Sequence, residues 1–304
     1  MEDSVDPRTR MGPVYFTVTD LERSIGFYQR SLGFELYRRE GKDATLGTKR
    51  GEEGTPGAAG NPLLHLHEVR EALRVRRTSG LYHFAVLVPN RLELAQVLRR
   101  ITLTETPVQG FANHLVSESI YLPDPDGNRI EIYADRPRSE WLDEQGNFRM
   151  ATDPLDLDSV IGELEGHDEE WPGLGPMTVM GHVHLHVGDV RSAEGFYTAG
   201  LGMDLTMRYG ATASFVSAGG YHHHIAFNTW AGRGAPPPPP NSVGLRWYSV
   251  LLPEENQLGQ EADRLRRAGV DFEKREDGLL IRDPSQNAVL ITLEEAVREG
   301  ALPV

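Results

Sequence analysis

One short stretch, HLVSESIYLPDPDGNRIEIYAD at 114–135, contains three side chains that can do chemistry. His114 and Tyr121 precede a tight-turn sequence, DPDGN, and Glu131 follows it between two isoleucines. Histidine, tyrosine and glutamate can each transfer a proton, and histidine and glutamate also bind metal ions. Because an ionised carboxylate is costly to bury without a partner, Glu131 in an apolar strand indicates a functional site.

Other candidate residues are histidines. The sequence HHH occupies 222–224, and in a strand His222 and His224 would face one side while His223 faced the other. Histidine titrates near neutral pH, so such a residue is suited to acid–base catalysis. Further histidines lie in strand-like segments at His65, His67, His83, His182, His184 and His186.

Composition limits the chemistry that is available. The chain has 304 residues and no cysteine, which excludes thiolate catalysis, disulfides and cysteine-ligated metals, so any metal must use histidine and carboxylate ligands. The net charge of −14 disfavours nucleic acid and anionic membranes as partners. The start lacks a signal-peptide core and no apolar run approaches the ~20 residues of a membrane span, so we expect a cytoplasmic protein.

Internal repeats predict the elements that position these residues. Segments 11–34 and 180–203 share glycine, valine, aspartate, Phe-Tyr and Leu-Gly at equal offsets, which predicts a strand, an Asp N-cap and an amphipathic helix. A second type of unit recurs at 80–101 and 244–269, and its later turn recurs as DPDGNRIEI and DPSQNAVLI. Each of the four units therefore reads as a strand, a helix and about three strands.

The repeats also predict the domain organisation. The N-terminal half, 11–135, holds modules 11–70 and 80–135, and the C-terminal half, 180–294, holds modules 180–230 and 244–294. An acidic segment, 136–179, connects the halves, and the run APPPPPNS separates the last two modules because proline cannot join a central sheet. One small sheet cannot bury its own face, so the modules should pair.

Four βαβββ modules with these helix patterns resemble the vicinal oxygen chelate superfamily of glyoxalases, bleomycin-resistance proteins and extradiol dioxygenases. This resemblance implies an α+β fold in which paired modules form two curved-sheet barrels. The residues His114, Ile120-Tyr121, Asp124-Pro125, Gly127 and Glu131 are similar to the extradiol motif of bacterial catechol 2,3-dioxygenase-like proteins. The implied activity is an oxidoreductase of aromatic catabolism that opens a small catechol-type diol with O2 at a mononuclear non-haem Fe(II), with Mn(II) as an alternative ion.

In this superfamily the metal ligands come from the first and last strands of two paired modules. The first-strand position, seven residues before the helix cap, is held in module order by Pro13, His83, His182 and Trp247. The last-strand position holds Glu131 in the second module and Leu290 in the fourth. Pairing the second and third modules alone assembles His83, His182 and Glu131, the two-histidine, one-carboxylate set of Fe(II) oxygenases. We therefore predict these three metal ligands, and that modules two and three build the site.

The resemblance also implies the catalytic residues. His223 matches the family's acid–base histidine, with His222 and His224 as alternatives for that role. His114 and Tyr121 match the pair expected to hydrogen-bond the substrate oxygen and the transition state. His184 and His186 share the strand face of His182 and could line a cavity, whereas we interpret His65 and His67 as structural.

Two other functions use the same fold. One is a glyoxalase-like isomerase or a transferase, but such enzymes usually carry two carboxylate ligands and only Glu131 occupies these positions. The other is a metal-free binding or resistance protein. We expect a homo-oligomer. None of the motifs identifies the substituents on the diol.

Overall fold

The computed structural model describes residues 4–55 and 57–298, and their elements follow the predicted repeat. The first module contains β1 (Arg10–Val18), α1 (Leu21–Leu32), β2 (Glu35–Glu40), β3 (Asp43–Gly47) and β4 (Pro62–Glu68). The second contains β5 (Gly80–Val88), α2 (Arg91–Leu103), β6 (Gly110–Asn113), β7 (Ser117–Pro123) and β8 (Arg129–Asp135), and α3 (Leu157–Gly162) follows in the connecting segment. The third contains β9 (Val179–His186), α4 (Val190–Gly195), β10 (Asp204–Tyr209), β11 (Ala213–Ser217) and β12 (Ile225–Asn228). The fourth contains β13 (Gly244–Leu252), α5 (Asn256–Arg267), β14 (Phe272–Arg275), β15 (Gly278–Arg282), β16 (Ala288–Leu293) and the terminal α6 (Glu294–Arg298).

Side-chain caps start three of the helices where the repeat predicts them. Asp20, Asn90 and Asp189 each accept a hydrogen bond from the backbone N–H three residues further on, at 2.8–2.9 Å. The first helix ends at Gly33, whose φ of +70° suits a residue without a Cβ. In the third module α4 is short and continues as a π-helical turn, Phe196–Gly200.

The strands form two sheets of eight. The hydrogen-bonded order is β14-β15-β16-β13-β1-β4-β3-β2 in one sheet and β10-β11-β12-β9-β5-β8-β7-β6 in the other. The first sheet takes its strands from modules one and four, and the second from modules two and three. First and last strands run parallel in the pairs β5–β8, β9–β12 and β13–β16. The expected α+β fold of four βαβββ modules in two curved sheets is therefore confirmed.

The chain divides into two compact units, and the first comprises 4–19, 69–83 and 181–298. Within it β1 pairs with β13 antiparallel, and the rings of Tyr15 and Trp247 lie 4.7 Å apart between centroids. These two rings belong to a buried apolar cluster completed by Leu280, Ala288 and Leu290. We call this set the apolar plug. It includes Trp247 and Leu290, the two residues that stand at ligand positions of the fourth module.

The second unit comprises 20–55, 57–68 and 84–180, and a buried turn links its first helix to module two. Tyr28 donates to Asp124 Oδ2 at 3.0 Å, while Asp124 Oδ1 accepts the N–H groups of Asp126 and Asn128. Burial, with the nearby Asp124 carboxylate, raises the pKa of Tyr28 well above its usual value, so the hydroxyl keeps the proton it donates.

The same arrangement recurs in the first unit. Tyr197 donates to Asp283 Oδ2 at 3.0 Å, and Asp283 Oδ1 accepts the N–H groups of Ser285 and Asn287. Where module two has Gly127 at a φ of +90°, this turn has Gln286 at +67°. The two turns therefore fix the DPDGN and DPSQN sequences by one hydrogen-bond pattern, despite the strained conformation of Gln286.

The acidic connecting segment packs on the second unit. Arg91 at the start of α2 contacts Glu163 at 2.9 Å and the backbone oxygen of Ser159 at 3.1 Å. Further along, the backbone N–H of Leu174 donates to the carbonyl oxygen of Gly33 at 2.9 Å. The segment is thus ordered by polar contacts with both helices. In the described part of the chain no helix is both long and apolar enough to cross a membrane.

The partly buried His65 is expected to make the fold sensitive to acid. Burial lowers the pKa of His65 from 6.5 to about 4, and its Nδ1 lies 3.0 Å from Thr45 Oγ1. A depressed pKa stabilises the fold fully above pH ~6.5 and loses that contribution as the pH falls toward ~4, a change of ~2 kcal/mol by pH 4.5. We therefore expect His65→Gln to reduce the difference in unfolding free energy between pH 7 and pH 4.5.

Denaturant titration at both pH values measures this difference. The exposed His167, changed to glutamine, controls for the loss of one histidine. An unaltered pH dependence in His65→Gln would mean that this ring does not carry the effect.

Candidate metal centre and its surroundings

Two histidines of the first unit face each other in the interior. His83 on β5 and His182 on β9 are 6% and 2% exposed, and their Nε2 atoms lie 3.2 Å apart. Their ring planes are inclined by 66° with centroids 5.3 Å apart, so the two nitrogens converge on one point while the rings diverge. Two imidazole nitrogens that converge in this way are a common part of the ligand set of a transition-metal site.

Glu131 lies in the middle of β8 and is 2% exposed. Ser119 on the neighbouring strand donates its hydroxyl to Glu131 Oε1 at 2.6 Å. In the parallel ladder Glu131 lies beside Ala85, two residues after His83 on β5, so alternation puts it on the face that carries His83. This largely apolar strand therefore presents the Glu131 carboxylate on the same face as His83.

Ligand atoms of His83, Glu131 and His182 all lie within 4.8 Å of one another. The donor set consists of two imidazoles and one carboxylate, which suits iron, manganese or zinc. A divalent cation at this point would compensate the buried carboxylate, so these residues fit a resident metal ion on their chemistry as well as their spacing.

Strand register shows which residues hold the corresponding positions in the other modules. Leu290 lies beside Ser249, two residues after Trp247, just as Glu131 lies beside the residue two after His83. In the third module Ala226 takes this place, beside His184. The fourth module thus carries Trp247 and Leu290, two residues of the apolar plug, at the positions where the second carries histidine and glutamate.

The predicted strand conformation of the three consecutive histidines is wrong. Residues 222–224 precede β12, which begins at Ile225, and they follow a turn in which Gly219 and Gly220 both have positive φ. As a result His222 and His223 do not face opposite sides: their Nδ1 atoms lie 2.9 Å apart. Glycines in the turn release the backbone from the alternation that a strand would impose.

His223 lies closer than His222 to the candidate ligand His182. Its ring centroid is 4.2 Å from that of His182, against 6.4 Å for His222, and it is 7% exposed. The ring of Phe215 packs edge-on against it at 5.2 Å. His224 instead accepts from the backbone N–H of Ala218 through Nδ1, at 3.1 Å.

His114 and Tyr121 form a hydrogen-bonded pair in the second unit. His114 Nδ1 lies 2.7 Å from the carbonyl oxygen of Ala151, and since a carbonyl can only accept, Nδ1 carries a proton. In the neutral ring Nε2 is then the acceptor for the Tyr121 hydroxyl, at 2.7 Å. Tyr121 lies directly opposite Glu131 in the antiparallel ladder of β7 and β8, on the same face of the sheet.

Asn228 is a site residue that the sequence analysis missed. It is fully buried and connects His184 and His186 of β9: its Nδ2 lies 2.8 Å from His184 Nε2 and its Oδ1 2.8 Å from His186 Nδ1. The backbone N–H of Trp230 also donates to Oδ1, at 2.9 Å, which fixes the orientation of the amide. A lone asparagine at the end of IAFN reads only as a strand terminus; its register opposite His186 is the informative signal.

The serine that holds Glu131 is expected to tune the affinity for metal. Ser119→Ala removes a 2.6 Å hydrogen bond that orients the carboxylate, so we expect metal binding to weaken ~10–100-fold. Competition with a metal chelator measures this affinity. Ser117→Ala, a buried serine two residues earlier on the same strand, is the matched control. Equal affinities in the two variants would contradict the role given to Ser119.

Comparison with known proteins gives the family and the fold. The profile of the Glyoxalase/Bleomycin resistance protein/Dioxygenase superfamily matches residues 10–132 and 179–290. A catechol-2,3-dioxygenase of Bacillus subtilis (strain 168) is 42% identical over 291 residues, which cover 94% of this chain and 98% of that protein.

Solved structures resemble the chain over most of its length. Glyoxalase I from Zea mays has a TM-score of 0.58 at 16% identity, covering 96% of this chain and 95% of its own. A Bacillus subtilis protein provisionally assigned as a dioxygenase has a TM-score of 0.60 at 12% identity, covering 97% and 91%. At these identities the likeness concerns the fold alone.

Proposed function

Because the chain belongs to the glyoxalase/bleomycin resistance protein/dioxygenase superfamily, we propose that it is an extradiol dioxygenase that cleaves a catechol-type diol with O2. His83, His182 and Glu131 would hold Fe(II), or Mn(II) in its place. The observation that carries the proposal is the convergence of these three ligand atoms within 4.8 Å. The 42% identity to a catechol-2,3-dioxygenase over nearly the whole chain supports the choice of reaction.

When bound, iron supplies Lewis-acid and one-electron redox chemistry that these side chains lack. The protein's own contribution starts with donor groups that are shielded from water, since all three side chains are at least nine-tenths buried. Exclusion of water strengthens each hydrogen bond made to the diol and limits side reactions.

His223 is the proposed acid–base residue. The 2.9 Å contact between its Nδ1 and that of His222 requires one of the two atoms to carry the proton. His222 therefore engages Nδ1 of His223, and we assign the proton exchange with the diol to Nε2. Such proton transfer contributes ~10²–10⁴-fold to a rate.

The His114–Tyr121 pair is proposed to hydrogen-bond the reacting oxygen. In the structure the Tyr121 hydroxyl donates its proton to His114 Nε2, and a hydroxyl that donates can also accept a hydrogen bond from a substrate hydroxyl. The hydrogen bond from His114 Nδ1–H to the carbonyl of Ala151 holds the ring so that Nε2 faces Tyr121. The pair can thus pass a proton to and from the substrate while staying fixed in place.

Oxygen uptake with catechol tests the proposal. Protein purified without air should contain about one iron per chain and should consume one O2 for each catechol opened, with the yellow ring-fission product appearing in step. Stoichiometric metal without oxygen uptake would favour an isomerase or a transferase. Protein that binds neither iron nor manganese would favour a metal-free binding protein.

A further inference from the structure

Aromatic rings lie in continuous contact from the candidate ligand His83 to the protein surface. The ring of His184 is 5.0 Å from that of His83, and Tyr82 contacts both histidines, at 4.9 and 5.2 Å. Trp230 completes the series at 5.1 Å from Tyr82 and 5.3 Å from His184. Since His184 is 5% exposed and Trp230 is 46% exposed, these rings lead from the buried centre to solvent. We call Tyr82, His184 and Trp230 the aromatic wall.

Asn228 holds this wall in one arrangement. Its Oδ1 accepts from the backbone N–H of Trp230, so its Nδ2 must be the group that faces His184 Nε2. That hydrogen bond fixes the His184 ring, and the backbone contact fixes the chain that carries Trp230. Two of the three wall residues are therefore tied to one buried side chain, which keeps the surface preorganised for a ligand.

We propose that the aromatic wall binds an uncharged aromatic or alkyl substituent on the diol ring, which makes Trp230 a specificity-determining residue. This inference rests on the proposed function, because chelation by the metal would fix the diol beside His83. A substituent directed toward His184 would then lie against Tyr82 and Trp230. Aromatic rings gain from burying flat apolar groups against their faces and edges.

Charge points to the same class of substituent. The chain carries a net charge of −14. An anionic substituent such as an acetate would therefore meet an unfavourable long-range field as it approaches the protein. An exposed tryptophan at the outer end of the wall offers apolar surface, which would be covered when a phenyl or alkyl group binds.

Anaerobic binding tests the wall without requiring turnover. Dissociation constants of catechol, phenyl-substituted catechol and the acetate-substituted catechol are measured on the iron-loaded protein by titration calorimetry. The wild type should prefer the phenyl compound to catechol by roughly tenfold or more, and the acetate compound should bind more weakly than either. Trp230→Ala should lose most of the phenyl preference while its affinity for plain catechol stays within about twofold.

A matched control comes from Tyr209, another exposed aromatic residue of the third module, at 64% exposure. Tyr209→Ala should keep the wild-type preference. An unchanged preference in Trp230→Ala, or tighter binding of the acetate compound in the wild type, overturns the inference. If the wild type takes up no oxygen with catechol but Trp230→Ala still loses the phenyl preference, the proposed function is rejected and the inference about the aromatic wall stands.

Discussion

Under the proposed function, replacing His182 by alanine is expected to remove most of the bound iron. A site with one histidine and one carboxylate keeps only two of its three protein donors, and His182 Nε2 lies 3.2 Å from the second histidine nitrogen. Glu131→Ala should have a similar effect, since it removes the only carboxylate of the group. In both variants we expect the loss of affinity to exceed the ~10–100-fold typical of changes around a ligand. Metal analysis after anaerobic purification measures it.

Pro13 provides the control because it holds the corresponding position in the first module. Its carbonyl oxygen accepts from Ser249 Oγ at 2.6 Å, an interaction that Pro13→Ala retains. The folded Pro13→Ala protein should therefore keep its iron. If it loses iron as fully as His182→Ala, the assignment of ligand positions is wrong.

His223→Gln and Tyr121→Phe are expected to retain iron and lose turnover by ~10²–10⁴-fold. Neither residue belongs to the three-donor group, so metal content should stay near that of the wild type. Glutamine keeps a polar group beside His182 but has no ring nitrogen that can accept and release a proton. Phenylalanine removes the hydroxyl that contacts His114 Nε2 at 2.7 Å. Steady-state oxygen uptake and iron content, measured on the same samples, separate chemistry from metal binding.

His224 offers the comparison for this second result. It lies in the same loop, but its Nδ1 accepts from a backbone N–H, so His224→Gln should affect turnover far less. Normal turnover in His223→Gln would move the acid–base role to His222 or remove it. A variant that loses both iron and turnover would show that His223 supports the metal rather than the chemistry.

Local signals in the sequence were enough to predict the modules and to nominate most residues of the candidate site. An aspartate or asparagine before an apolar helix pattern predicts a cap, and Asp20, Asn90 and Asp189 form these caps. The strand–helix period repeats over four modules, so each copy supports the reading of the others. The α+β fold followed because four such units have few ways to bury their sheets.

Features set by non-local register were not predictable in this way. The contacts of Asn228 with the histidines of β9 depend on its pairing with His186, on a strand that is distant in sequence. The conformation of 222–224 depends on two glycines that turn the chain before β12, and strand alternation was therefore the wrong rule for those histidines. Helix α3 and the π-helical turn after α4 are short elements with weak periodicity, which tertiary contacts rather than propensity decide.

The apolar plug has a consequence for how inherited variation would act on this protein. Trp247 and Leu290 stand where the second module has His83 and Glu131, so the fourth module uses these positions for core packing and the second uses them for the candidate metal centre. Truncating a buried tryptophan costs ~3–5 kcal/mol, a large share of the ~5–15 kcal/mol that holds a typical domain together. Substitutions in the plug would therefore lower the number of folded molecules in the cell, while each folded molecule would keep its normal activity. Changes at the histidines would act through abundant molecules that are inert.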